Sequence, residues 1–235
     1  KVCGGGISQK DIDFLNLPKE LIEFKSNKLK IHINNLAHTI KKKENFVYTV
    51  DREKLGQWQL KKVKKFNNIE VRTGSKVSKI EKGKIIVNNK KISYKYLVGA
   101  DGSNSIAKSY LGIESKKLNI TVQCSTPKKR NEMEFFVSPK LFSWYAWIFP
   151  HKNRTYIGNG CNSEFGSSKN LMKDFDSWIK GNDFNVSEAK KETSIINYDY
   201  KGYDFGNIFL VGDAGGFTPG FTGKGIYPAL VTGKE

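Results

Sequence analysis

The chain alternates short apolar runs with connections rich in glycine and lysine. Its most informative run is Ile208 to Val211, the length of one buried strand. The run stops at Gly212-Asp213, and a loop with Gly215, Gly216, Gly220, Gly223 and Gly225 follows. Ile226-Tyr-Pro-Ala-Leu-Val231 then opens a helix, with Pro228 tolerated in its first turn. The pattern predicts a strand, an acidic tip, a glycine loop and a helix. Bare backbone lets N–H groups approach an anion or a flat ring, and an acid at a strand end suits a sugar hydroxyl. An ordinary strand-to-helix turn is the plain alternative.

Upstream, Asp11 to Leu21 predicts a short helix. Leu29 to Ile33 and Phe46 to Val50 alternate as strands, and Lys41-Lys-Lys-Glu44 between them reads as a solvated loop. Glu53 to Phe66 spaces Leu55, Trp58, Leu60, Val63 and Phe66 as a helix, slightly weakened by Gly56. Ile69 to Thr73, Val77 to Glu81, Lys84 to Val87, Lys91 to Tyr94 and Tyr96 to Ala100 read as short strands, the last ending at Asp101-Gly102. From Ile106 the texture changes. Met133 to Val137, Phe142 to Phe149 and Thr155 to Asn159 are aromatic-rich β runs, and Asn170 to Ile179 places Leu171, Phe175, Trp178 and Ile179 on one helical face. These predict a sheet with a helix packed on it. Alternation sets Tyr145, Trp147 and Phe149 on one side of their strand, which without context is an aromatic core strand. His151 follows and reads as a satisfied surface histidine.

Composition narrows the classes. With 235 residues, 38% of them hydrophobic and 12% aromatic, the chain is long enough for one or two globular domains. No apolar stretch has the length of a membrane span and the start carries no signal-peptide pattern. The first residue is Lys1, and Glu235 falls inside a continuing helical pattern, so the expectation is a piece of a longer chain. The net charge is +17, yet only Arg52, Arg72, Arg130 and Arg154 are arginines. A nucleic-acid reader would show more arginine and an aromatic-basic motif, so no nucleic-acid partner is expected. Attraction to anionic lipid remains open. Cys3, Cys124 and Cys161 are odd in number, have no metal-binding spacing and suggest a reducing, cytoplasmic compartment.

Taken in chain order, five features resemble one flavoprotein family. They are Lys1-Val-Cys-Gly-Gly-Gly6, Arg52 at a strand-to-helix joint, Gly99-Ala-Asp-Gly102, Tyr145-x-Trp147-x-Phe149-Pro150, and Gly212-Asp213 with its glycine loop. The set is similar to motifs of the geranylgeranyl reductase family, within the aromatic-hydroxylase-like FAD-dependent oxidoreductases. The resemblance implies an α/β (mixed α+β) fold. A split Rossmann-like FAD-binding domain, residues 1–105 and 198–235, would be interrupted by an antiparallel-sheet substrate domain, residues 106–197.

The same resemblance implies FAD contacts at Cys3, Gly4, Gly6 and Arg52, at Val77 beside the adenine, and at Asp101 and Gly102 beside the pyrophosphate. It puts Asp213 on the ribityl chain, and Pro219, Gly223, Gly225 and Ile226 along the pyrophosphate and isoalloxazine. Cys3 becomes the candidate catalytic residue. Tyr145, Trp147, Phe149 and Pro150 would line an isoprenoid cavity, and no metal is expected. The implied activity is saturation of C=C bonds in geranylgeranyl chains, for membrane-lipid or phytyl-chain synthesis, with peripheral membrane contact. NAD(P)H or ferredoxin would be the electron donor, and the residues do not choose between them.

The chain departs from the family pattern at two places. Leu55-Gly56 replaces the usual Phe-Asp after the arginine. The G-x-G-x-x-G fingerprint and the acid for the adenosine ribose are absent, and are expected upstream of Lys1. Two other classes stay open. One is an FAD-dependent monooxygenase or halogenase, although halogenases carry Trp-x-Trp-x-Ile-Pro where this chain has Tyr145 and Phe149. The other is a flavoprotein remnant that holds no FAD.

Overall fold

The computed structural model describes residues 2–34, 36–138, 144–164, 168–182, 184, 186 and 189–235. The first elements are β1 (Gly6–Ser8), α1 (Gln9–Leu15), β2 (Ile22–Ser26), β3 (Lys28–Ile33), β4 (Leu36–Lys41), β5 (Val47–Val50) and α2 (Arg52–Val63). Then come β6 (Val77–Glu81), β7 (Lys84–Val87), β8 (Lys90–Ser93), β9 (Leu97–Gly99) and α3 (Ile106–Tyr110). The rest are β10 (Leu118–Thr126), β11 (Glu134–Val137), β12 (Ala146–Pro150), β13 (Thr155–Asn162), α4 (Ser168–Gly181), β14 (Glu192–Asn197), β15 (Ile208–Leu210) and α5 (Ile226–Thr232). The fold is mixed α/β with several sheets, as expected.

Packing divides the chain into two compact units, Lys1–Gln57 with Asn119–Ile195, and Trp58–Leu118 with Ile196–Glu235. This is a division by packing. The split into residues 1–105 and 198–235 around 106–197 is a division by role and stands as an expectation.

The first unit holds a three-stranded sheet, ordered β1-β5-β2, and a seven-stranded sheet, ordered β14-β10-β13-β12-β11-β3-β4. Neighbours β10–β13, β13–β12 and β12–β11 run antiparallel, whereas β11 pairs in parallel with β3. The parallel pairing brings the β3–β4 hairpin from the start of the chain onto the aromatic strands. One face of the sheet is closed by α4. Leu171, Phe175, Trp178 and Ile179 bury themselves on Val122, Ala146, Ile148 and Ile157, as the helical spacing predicts. β10 also belongs to this sheet. Its apolar side (Ile120, Val122, Cys124) packs towards that core, while Asn119, Thr121 and Gln123 on its polar side are buried as well.

The second unit has a parallel pair, β15–β9, and a three-stranded antiparallel sheet, β6-β7-β8. Ile80, Ala107 and Leu210 centre its core, with Val77, Leu97, Ile106 and Phe205 packed around them.

Several expectations change. Residues 11–21 are not one helix: α1 ends at Leu15, Asn16 turns left-handed at φ 47°, and Lys19–Leu21 forms a separate 3₁₀ turn. Ile69 to Thr73 forms no strand. No neighbouring strand offers it a ladder, Ile69 is exposed, and Arg72 instead grips Glu70 with two hydrogen bonds. Lys41 belongs to β4 and not to a loop. Strands β2, β4, β10 and β14 were not expected. The start of the run Phe142 to Phe149 lies outside the described residues, and β12 begins at Ala146.

Phe175 is wholly buried beneath α4. Phe175→Ala is expected to lower unfolding free energy by about 3–5 kcal/mol, through lost transfer energy plus a cavity. Urea denaturation of both proteins measures it.

Candidate functional site

The Cys-Gly-Gly-Gly segment is pinned by its neighbours on all three of its glycines. Val50 N–H donates to the Gly5 carbonyl at 3.0 Å and His151 Nε2 donates to the Gly4 carbonyl at 2.9 Å. Gly5 sits at φ 75°, and a Cβ there would stand 2.2 Å from the Val50 carbonyl oxygen, so only glycine fits. The Gly5 N–H in turn reaches the sulfur of Cys3, 3.4 Å away, and fixes where the half-buried thiol lies.

Gly4 and Gly6 are required for a different reason. A Cβ at either would come within 2.6 or 2.8 Å of the Phe149 ring. The glycines read from the sequence as room for a cofactor are thus also room for an aromatic side chain.

That ring belongs to the predicted wall. Tyr145, Trp147 and Phe149 do share one side of the strand, in edge-on or tilted contact, and Phe135 from β11 packs edge-on against Tyr145 and Phe149. Trp147 lies across β13, where Gly158 pairs with it; a Cβ on Gly158 would stand 2.2 Å from the indole. The need for glycine at 158 was missed in the sequence, although the spacing Gly158-x-Gly160 opposite a tryptophan strand was its signal. The indole Nε1–H of Trp147 is buried, has no hydrogen-bond partner among the described residues and lies close to Gly4. Burial pushes the Tyr145 phenol well above the usual tyrosine range, with a smaller push from neighbouring Cys3. Pro150 alternates to the other side with Ala146 and Ile148, and its carbonyl accepts from Thr49 Oγ1 at 2.6 Å.

A charged network supports the loop. His151 is buried, which corrects its reading as a surface residue: Nδ1 meets Glu23 Oε2 at 2.9 Å while Nε2 holds Gly4. A carbonyl can only accept, so Nε2 carries the proton. Burial pushes the Glu23 carboxyl up, but hydrogen bonds from Lys54 and His151 outweigh it and hold Glu23 below its ordinary range. Asp51 caps α2 through the N–H groups of Glu53 and Lys54 and pairs with Arg154 at 2.5 Å. Arg52, at the first position of α2, makes no hydrogen bond or ion pair to any described residue, and its Nε is shielded from solvent. An unspent guanidinium beside a set of spent ones fits an anionic or carbonyl-bearing ligand.

The glycine loop after β15 is described by itself, since it lies in the second unit. Asp213 sits on a 3₁₀ turn, Gly212–Ala214, at the strand end. Its Oδ1 accepts from Thr218 at 2.5 Å and its Oδ2 from Ser103 at 3.4 Å. Asn197 Nδ2 donates to the Asp213 carbonyl at 2.9 Å, and Asn197 N–H donates to Ser103. Gly225 caps α5 where a Cβ would press 2.7 Å from Thr218 Oγ1. Gly223 bonds back to the exposed Pro219, and Ile226 is half-buried.

Asp101 spends one oxygen capping α3, on the N–H groups of Ile106 and Ala107, and Gly102 follows at φ 82°. Val77 is half-buried in the core edge of its sheet. Lys108, unnoticed in the sequence, is buried and donates to the Ser103 carbonyl and Ser115; burial lowers its pKa. The first unit thus gathers Cys3, Gly4, Gly6, Arg52, Tyr145, Trp147 and Phe149. The second gathers Asp101, Gly102, Asp213, Pro219, Gly223, Gly225 and Ile226. Among the described residues, no group of three or more His, Cys, Asp or Glu could hold a metal ion.

No protein-family model matches the chain. It is similar to an uncharacterized protein of Methanosarcina barkeri, 27% identical over 99% of this chain and 63% of that one. It is also similar to the geranylgeranyl diphosphate reductase of Rhodobacter capsulatus, 26% identical over 100% of this chain and 64% of that one. The chain therefore spans less than two thirds of either relative. Among solved structures, a geranylgeranyl bacteriochlorophyll reductase-like protein of Thermoplasma acidophilum superposes with a TM-score of 0.83 at 17% identity, covering 98% of this chain and 65% of that one. The flavin-dependent brominase Bmp2 superposes with a TM-score of 0.70 at 13% identity, over 98% of this chain and 67% of that one. The fold is thus one shared by reductase-like and halogenating flavoproteins.

Because folding depresses the Glu23 pKa, its ionised form adds stability above the ordinary value of 4.5, and that stability is lost as pH falls through the lower folded value. Glu23→Gln is expected to lose about 3 kcal/mol at neutral pH, as for a buried pair stripped of one partner. It should also lose part of the steepness of the acid-side fall. Melting temperature against pH checks both.

Proposed function

We infer that the chain is part of an FAD-dependent oxidoreductase that saturates C=C bonds of isoprenoid chains. The observation that carries this reading is the packing of Phe149 and Trp147 directly on Gly4 and Gly6, with Tyr145 and Phe135 packed behind them. It places a thiol beside a wide apolar aromatic surface, as an unfunctionalised hydrocarbon needs. The named relatives support the same reading.

Each unit by itself carries groups suited to FAD. Arg52 has unspent donors, and Asp213, engaged by Thr218 and Ser103, keeps lone-pair capacity for hydroxyls because a carboxylate offers about four acceptor sites. The flavin, when bound, supplies hydride chemistry that side chains lack. The residues do the rest. The aromatic wall orients the chain and excludes water, and Cys3, held by Gly5, is the group placed to give or position the proton for the second alkene carbon. The Trp147 N–H offers one directional contact on an otherwise apolar surface. NAD(P)H or ferredoxin is the proposed source of electrons.

Asp213→Ala should weaken FAD binding ten- to a hundredfold, about 1–3 kcal/mol, from loss of a half-buried hydrogen-bonding carboxylate. Fluorescence titration of the full-length protein measures it, with melting as the folding control.

The likeness to a brominase keeps an oxygen-using reading in play, and one anaerobic experiment separates the two. The full-length protein is reduced with dithionite and given prenyl lipids of increasing length. The reductase reading predicts two hydrogens gained per double bond without oxygen. It also predicts affinity rising with chain length, since each buried methylene adds about 0.8 kcal/mol, and weaker binding after Trp147→Ala. Inertness to prenyl lipids, with turnover only when oxygen and an aromatic compound are added, would overturn it.

A further inference from the structure

We propose that the β3–β4 hairpin is a docking surface for an anionic lipid bilayer. The register sets Leu29 opposite Ile40, Ile31 opposite His38 and Ile33 opposite Leu36, so one side of the ribbon is almost wholly apolar. Large side chains on that side are open to solvent: Ile33 and Leu36 beside the turn are 46% and 68% exposed, and Ile40 near the base 42%. A lone exposed leucine means little, but three such residues on one two-stranded ribbon make a patch.

The charge around the patch names its partner. Residues 25–43 include Lys25, Lys28, Lys30, Lys41, Lys42 and Lys43 and not one acid. Lys28 and Lys41 stand directly opposite each other, a pairing of like charges that destabilises a ribbon in water. Only Lys30 finds an acid among the described residues, Glu132 at 3.8 Å, while Lys42 lies over the Phe46 ring. Lys28, Lys30 and Lys41 alternate to the other side of the ribbon, and Lys42 and Lys43 follow at its base. An apolar side backed by long cationic stems matches the lipid–water boundary, where apolar groups sink below the headgroups and ammonium groups reach anionic phosphates. A second copy of this chain fits worse. It would bring the same lysines to the same edge, which is how exposed edge strands are kept from pairing. Nucleic acid fits worse still, since the patch is aliphatic and has no arginine.

The surface also leads somewhere. Ile31 pairs with Phe135 and Phe135 with Trp147, so the apolar side of the hairpin and the aromatic wall are one continuous face of the seven-stranded sheet. On the isoprenoid reading, which this consequence rests on, a lipid chain leaving the bilayer would reach the wall along a single apolar surface.

The test is sedimentation of the full-length protein with two kinds of vesicle. One is phosphatidylcholine alone and the other is phosphatidylcholine with phosphatidylglycerol in equal parts. Binding is expected to the second, weakening as salt is added. Lys41→Gln, Lys42→Gln and Lys43→Gln combined should lower the partition roughly a hundredfold, at about fivefold for each lysine. Ile33→Asp with Leu36→Asp should lower it at least about tenfold, by opposing burial of the patch. Melting temperature should hold in both variants, because the changed side chains are exposed.

Docking is overturned if wild type ignores both vesicles, binds them equally, or is matched by either variant. It is equally overturned if the aspartate variant changes only the oligomeric state. Turnover of a detergent-dispersed prenyl substrate is read separately. If no form turns it over while vesicle binding behaves as expected, the isoprenoid reading fails and the docking surface stands.

Discussion

The contact on which the first unit depends is that of bare glycine backbone against an aromatic ring. Gly4 and Gly6 lie so close to Phe149 that no side chain fits at either position, and Gly5 is locked under the Val50 carbonyl. This contact seats the cysteine segment on the aromatic cluster of Tyr145, Trp147 and Phe149. Strand β5 holds the segment from one side by hydrogen bonds, His151 holds it from another, and Gly158 of β13 leaves room for the Trp147 ring that reaches it. Replacing any one of these glycines removes room rather than a bond. In a close-packed interior that is felt as displacement of the neighbour.

Electrostatics in the same unit is organised by which groups are used up. Glu23 is shared by His151 and Lys54, and Asp51 is shared by a helix terminus and Arg154. Each buried charge is satisfied, as burial demands. Among the described residues, shielded donors without a partner remain on Arg52, Arg130, Arg154, Trp147 and Asn159, and of these Trp147 belongs to the aromatic wall. In the second unit the balance differs. Asp213, Thr218, Ser103 and Asn197 form a local network, and Asp101 serves α3. Its glycines are also partly structural: Gly225 clears Thr218 and Gly216, at φ 74°, clears the Asp199 carbonyl.

The seven-stranded sheet has two unlike faces. One is sealed by α4 and behaves as a core. The other carries the aromatic rings and runs on to the lysine-rimmed hairpin without a polar break among the paired residues Trp147, Phe135 and Ile31. A buried core needs no such extension to an exposed edge, whereas a surface that handles long apolar molecules does. The buried Cys124 and Cys161 lie on the sealed face, and burial pushes the Cys124 thiol up to about 11, whereas Cys3 is half-buried.

The amino-acid sequence determined what local periodicity and side-chain chemistry can encode. The strand, acidic tip, glycine loop and helix from Ile208 to Thr232 formed as read, and so did α4, whose apolar spacing has one way to be buried. The one-sided aromatic strand and the position of the cysteine loop were also legible, because alternation decides sidedness without reference to any partner. Tertiary structure decided what depends on a partner far along the chain. Ile69 to Thr73 has strand-like residues but no ladder to join, while β10, not read from the sequence, found one and buried its polar side too. Placing β3 beside β11 needed a contact between residues about a hundred positions apart, and strand register at that separation is set by packing rather than by pattern. His151 likewise reads as an ordinary polar residue after a proline. It became a buried support for the Cys3 loop only because Glu23 and the Gly4 carbonyl arrive from two other segments, and a histidine's two ring nitrogens can hold both at once.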